Sequence, residues 1–94
     1  MKLELVARIL DGIAGVRKDG GGWQIPDGLE VSAFFALPSE LLAVQRCARL
    51  EPSGEVLAIE THKGERFYFP LELLAGLKSA TVERATGNRG AGFR

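Results

Sequence analysis

EVLAIETHKGERFYF, residues 55–69, is the stretch on which the fold turns. Residues 55–62, EVLAIETH, and 65–69, ERFYF, are rich in β-branched and aromatic residues, which suit a pleated, half-buried surface. Lys63-Gly64 separates the two runs and puts glycine where a tight hairpin needs positive φ. The stretch therefore predicts two antiparallel strands joined by a short turn. Upstream, residues 43–50 supply a further strand, and Glu51-Pro52-Ser53-Gly54 a hairpin loop. Together they predict a three-strand meander over residues 43–69.

Further upstream, LEVSAFFAL (29–37) alternates cleanly. Leu29, Val31, Ala33, Phe35 and Leu37 fall on one face, and Glu30, Ser32, Phe34 and Ala36 on the other. Pro26-Asp27-Gly28 is a turn with a physical basis: proline sets the first corner and glycine accepts the second. Residues 23–25, WQI, predict a short strand behind the glycine turn of 19–22. Residues 2–10, KLELVARIL, fit either period: Leu3, Leu5, Ala7 and Ile9 alternate, while Leu3, Val6, Ala7 and Leu10 share a helical face. Gly12 and Gly15 follow at once and leave a helix little room, which favours a strand.

The string P-x-E-L-L-A occurs twice, at Pro38–Ala43 and Pro70–Ala75. In both copies a phenylalanine-rich strand runs into proline. Proline suits the first helical position, and glutamate two residues on suits the positive helix end. Each copy therefore predicts a strand-to-helix corner, the second opening a short helix at 70–77. A last strand is expected at 80–85. The expected class is mainly β, a small antiparallel barrel or bent sheet with one or two short helices, with α+β as the alternative. Residues 1–85 form one expected domain and 86–94 a flexible Gly/Arg tail. The stretch ERFYFPLELLAGLKSATVE (65–83) resembles PRC-like and Sm-like barrels in its rhythm of barrel strand, short turn and closing strand. It carries none of their diagnostic residues, so it implies fold and no function.

Twelve acids balance twelve bases among 94 residues, which argues against a binder that depends on neutralising phosphates. No apolar run approaches the ~20 residues needed to span a bilayer, and Glu4 and Arg8 break up the N-terminal run as a signal peptide. Cys47 is the only cysteine, which excludes an internal disulfide and suits a reducing, cytoplasmic setting. One histidine, His62, with one cysteine falls short of a zinc ligand set, so neither metal nor cofactor is expected.

Catalysis finds little to work with. An enzyme would rest on Cys47, with Arg46 and Arg49 near it in sequence, or on His62. A mid-strand hydrophobe and a strand-end polar residue are the plainer readings. Arg49, Arg66 and Tyr68 share a sheet face if the meander pairs in register. Trp23, Phe34, Arg84 and Arg89 are the residues that would join them. Arginine beside aromatics is typical of protein interfaces, and of small β-folds that stack single strands. Alternatively, Phe34 and Tyr68 belong to a second small core under the N-terminal segment. The expected function is thus a non-catalytic module that binds a protein partner or self-associates through a sheet face or edge. A module for RNA or single-stranded DNA, using Arg46, Arg49, Arg66, Arg84 and Arg89, is the alternative.

Overall fold

In a computed structural model that describes residues 1–81, the chain forms two antiparallel sheets and one helix. In order, the elements are α1 (Leu3–Asp11), β1 (Arg17–Asp19), β2 (Gly22–Gln24), β3 (Leu29–Leu37), β4 (Glu40–Val44), β5 (Cys47–Ser53), β6 (Val56–Thr61), β7 (Arg66–Pro70), a 3-10 turn (Leu71–Leu73) and β8 (Leu74–Thr81). One sheet runs β1-β2-β5-β6-β7 and the other β4-β3-β8. The class is mainly β, and the sheets stay open instead of closing into a barrel.

The meander is β5-β6-β7, with Leu50 opposite Ile59 and Ile59 opposite Phe67. Its first strand differs from the expected 43–50. That segment divides at Gln45-Arg46, and β4 and β5 lie in different sheets. Arg46 makes this crossing at φ 59°, the one non-glycine with positive φ among the described residues, and its carbonyl accepts the His62 N–H at 2.9 Å. β5 also runs into the expected loop, as far as Ser53, and the turn is Gly54-Glu55. Proline is tolerated at position 52 because β2 reaches only Arg49 and Leu50, leaving β5 one open side there. The β6–β7 turn closes over His62–Gly64, one residue longer than Lys63-Gly64. The Thr61 N–H bonds the Glu65 carbonyl at 2.9 Å, and Gly64 sits at φ 89°.

β3 is the hub of the smaller sheet. Its alternation holds: Val31, Ala33 and Phe35 are fully buried. Phe35 stacks on Phe69 of the opposite sheet with ring centroids 4.5 Å apart, which ties the two layers together.

Neither copy of P-x-E-L-L-A starts a helix. In the first, Pro38-Ser39 is the two-residue turn of the β3–β4 hairpin, and Glu40 onward is strand. Proline forbids positive φ at the first corner, so the turn is not of the primed kind that hairpins favour. In the second, Pro70 ends β7 and one 3-10 turn leads into β8. The helix expected at 70–77 is thus a single turn at 71–73, and the last strand begins at Leu74 instead of residue 80.

Residues 3–11 are helical, where a strand was expected. Val6 and Leu10, one helical turn apart, are buried, with Ala7 half-buried beside them, whereas Leu3 and Leu5 are exposed. The glycines do leave room: Gly12 closes the helix by donating to the Arg8 and Ile9 carbonyls. The helix is tied to β2 through Trp23, whose Nε1 donates to Asp11 Oδ1 at 2.8 Å. Gly22 is required by packing, because a Cβ there would lie 2.6 Å from the Leu50 carbonyl. The proposed tail, 86–94, lies outside the described residues. Among the described residues, no helix is long and apolar enough to cross a membrane.

Candidate functional site

The site is built from the outer face of β5-β6-β7 and the free edge of β7. Period two and the register put Gln24, Arg49, Glu60 and Arg66 in one row across four strands. Glu51, Ala58 and Tyr68 form the neighbouring row. Ala58 contributes only a methyl group between two long side chains. The result is a shallow hollow of about 190 Å³, walled by Arg49, Glu51, Glu60, Arg66 and Tyr68. Tyr68 is 63% exposed, more than any other large hydrophobic residue described.

The two arginines differ. The Arg49 Nε donates to Glu51 Oε1 at 3.1 Å, and its Nη2 donates to the Asp19 carbonyl at 3.0 Å. The Asp19 carboxylate adds a longer ion pair at 3.6 Å. Arg49 is therefore a brace between β1 and β5. Arg66 is exposed on the edge strand, and no ion pair engages it among the described residues.

The edge of β7 adds backbone groups. In an antiparallel pair, successive residues turn their N–H and C=O alternately toward and away from the neighbour. Thr61 pairs with Glu65, and Leu71 with Glu55, through bonds in the same register. Residues 65, 67, 69 and 71 thus spend their main-chain groups on β6 and its flanks. Arg66 and Tyr68 turn theirs outward. Pro70 has no N–H and ends the row of donors. Among the described residues, no strand pairs with this edge.

Other expected site residues lie elsewhere. Trp23 is 3% exposed, a core residue whose indole N–H is satisfied by Asp11, and Lys18 Nζ sits 5.7 Å from its ring. It is absent from the outer face because Trp23 pairs with buried Leu50 and points inward. Phe34 lies on the outer face of the other sheet, half-buried between Ala43 and Gly76. It does not join Tyr68. Arg84 and Arg89 lie outside the described residues. Tyr68 is not covered by α1, so the second small core expected as an alternative does not form around it.

Cys47 is fully buried, and its Sγ lies 3.5 Å from the Val44 carbonyl. Burial pushes the thiol up to about 11, so it is protonated at neutral pH and poorly suited to attack. The His62 Nδ1 lies 3.5 Å from Oδ1 of Asp27, in the segment between β2 and β3. Among the described residues, no group of three His, Cys, Asp or Glu side chains is placed to hold a metal ion.

Arg49, Arg66 and Tyr68 were legible from period two and hairpin pairing. The free edge was not, because it depends on which strand ends the sheet. Pro70, which cannot donate to a central ladder, was the one local sign of it. No family model, no curated protein and no solved structure matches the chain.

Proposed function

We propose that this protein is a small interaction module that docks a protein partner on the outer face of β5-β6-β7 and along the β7 edge. The observation that carries this reading is Tyr68. A large amphipathic ring stands 63% exposed over a hollow, beside a guanidinium that no ion pair engages among the described residues and two residues whose main-chain groups face outward. Tyrosine and arginine are the side chains that dominate binding energy at protein interfaces. The face also presents Glu51 and Glu60 among its cations, and Arg49 is held by carboxylates. Carboxylates repel phosphates, which favours a protein partner over a nucleic acid.

The test is affinity capture with three immobilised proteins: the unmodified chain, Tyr68→Ala, and Leu41→Ser on the other sheet. A partner held by the first and third and lost from Tyr68→Ala supports the reading. Equal capture by all three overturns it. So does the absence of any capture by a chain that is also monomeric. Salt-sensitive retention of single-stranded RNA, lost in Arg66→Ala, would favour the nucleic-acid reading instead.

A further inference from the structure

We infer that the partner at the β7 edge is a second copy of this chain, paired antiparallel through β7 with Phe67 on the two-fold axis. This rests on the reading of that face and edge as an interaction surface and names its occupant.

The four sheet edges are not equivalent. β1 is three residues long, and all of them (Arg17, Lys18 and Asp19) are exposed and charged, a common way to block strand addition. β8 is irregular, with a bulge opposite Phe34/Phe35, and carries Lys78. β4 turns outward only at Leu41 and Ala43, which offer an incoming strand neither charge nor an aromatic ring. Among the described residues, β7 alone combines a matched pair of side chains, Arg66 and Tyr68, with main-chain groups that no strand pairs.

Two-fold symmetry restricts the register, because any residue on the axis must face itself. With Phe67 on the axis, Arg66 lies opposite Tyr68 of a second copy, and Tyr68 opposite its Arg66. Both outward residues then exchange N–H and C=O bonds with the partner strand. The same pairing sets a guanidinium beside a tyrosine ring twice, a favourable charge–aromatic match. On the inner side, half-buried Phe67 meets its own counterpart at the mouth of the core. An axis placed between two residues would set outward main-chain groups against inward ones and break the ladder. Placing it on Tyr68 sets Arg66 opposite Pro70, which has no N–H to give. Placing it on Arg66 sets two guanidinium groups directly against each other, which is repulsive. Only the Phe67 register satisfies the edge.

The experiment begins with light scattering on the unmodified chain from micromolar to millimolar concentration. The expected mass rises toward twice the 10.1 kDa of one chain. Two substitutions at an exposed position then separate this register from a general need for tyrosine. Tyr68→Glu sets a carboxylate opposite Arg66 and keeps the dimer. Tyr68→Arg sets arginine against arginine and returns the monomer. Residues opposite each other in a non-hydrogen-bonded pair have Cα atoms about 4.5 Å apart, within disulfide reach. Phe67→Cys is thus expected to give a covalent dimer under mild oxidation, whereas Glu65→Cys, which lies opposite Phe69, does not. A monomer at every concentration overturns the inference, as does a dimer that survives Tyr68→Arg. Tyr68-dependent capture of another protein by a monomeric chain would overturn this inference and leave the interaction surface standing.

Discussion

The two copies of P-x-E-L-L-A share their letters and part of their fate. Leu42 of the first and Leu74 of the second lie on either side of the same residue, Phe35, one on β4 and one on β8. Both strands run antiparallel to β3, so these two leucines occupy mirrored slots beside it. The match ends there, because Leu73 lies in the 3-10 turn and Phe34 faces Ala43 on one side and Gly76 on the other. The Pro-x-Glu segments do not match. In the first, the chain turns back on β3 itself through Pro38-Ser39. In the second, it arrives from β7 of the other sheet, and Leu71 is buried with its N–H donated to the Glu55 carbonyl at 2.7 Å. The variable residue marks the divergence: Ser39 is a solvent-exposed corner, and Leu71 is an anchor.

The comparison is broken most sharply at its shared position. Leu74 is 3% exposed, so Leu74→Ala leaves a cavity and is expected to cost about 3 kcal/mol, measured by urea unfolding. Leu42 flanks Phe35 on an edge strand and is half-buried, so Leu42→Ala should cost about 1 kcal/mol. Equal losses at the two sites would mean that both slots are packed alike.

Exchanging the variable residues gives the next effect. Leu71→Ser removes a buried anchor and should cost about 2 kcal/mol. Ser39→Leu changes only an exposed corner and should stay within about 0.5 kcal/mol. Leu41, which is 62% exposed, marks the same lower bound, since Leu41→Ala removes little buried area.

Beyond the first copy the strand crosses between sheets, and here the effects are smaller. Arg46 holds a left-handed conformation that costs a side chain about 1 kcal/mol, so Arg46→Gly should be neutral to slightly stabilising and Arg46→Val destabilising. The crossing also buries Cys47, whose thiol is raised from 9.0 to about 11. The folded state binds the proton more tightly than the unfolded one. Below pH 9 both states hold the proton and stability does not vary with this group; it falls as pH rises from 9 toward 11, where the unfolded state ionises first. A pH titration of unfolding, compared with Cys47→Ala, checks the sign. At neutral pH the linkage contributes nothing.

The helix at 3–11 shows why some elements resist reading. Its residues satisfy period two and period 3.6 together, and only contact with the core separates them: Val6 and Leu10 are buried, and Leu3 and Leu5 are not. Trp23 is similar. A tryptophan after a glycine run looks like a binding residue, and Asp11, twelve positions earlier, makes it a core residue with a satisfied N–H. The expected corners at Pro38 and Pro70 followed from helix-terminus preferences, which are small beside the pairing offered by both edges of β3.

The sequence by itself determined the meander, the alternation of β3 and the placing of Arg49, Arg66 and Tyr68 on one face. Those features depend on period two and on turns a few residues long, so their causes lie within the segments themselves. Tertiary structure alone decided that the chain crosses between sheets at Arg46, that one hexapeptide becomes a hairpin and its twin a 3-10 turn, and that β7 ends its sheet. Each of those depends on what lies across the core. Neighbours such as Phe35, Leu50 and Glu55 are distant in sequence, and the burial they provide outweighs local preference.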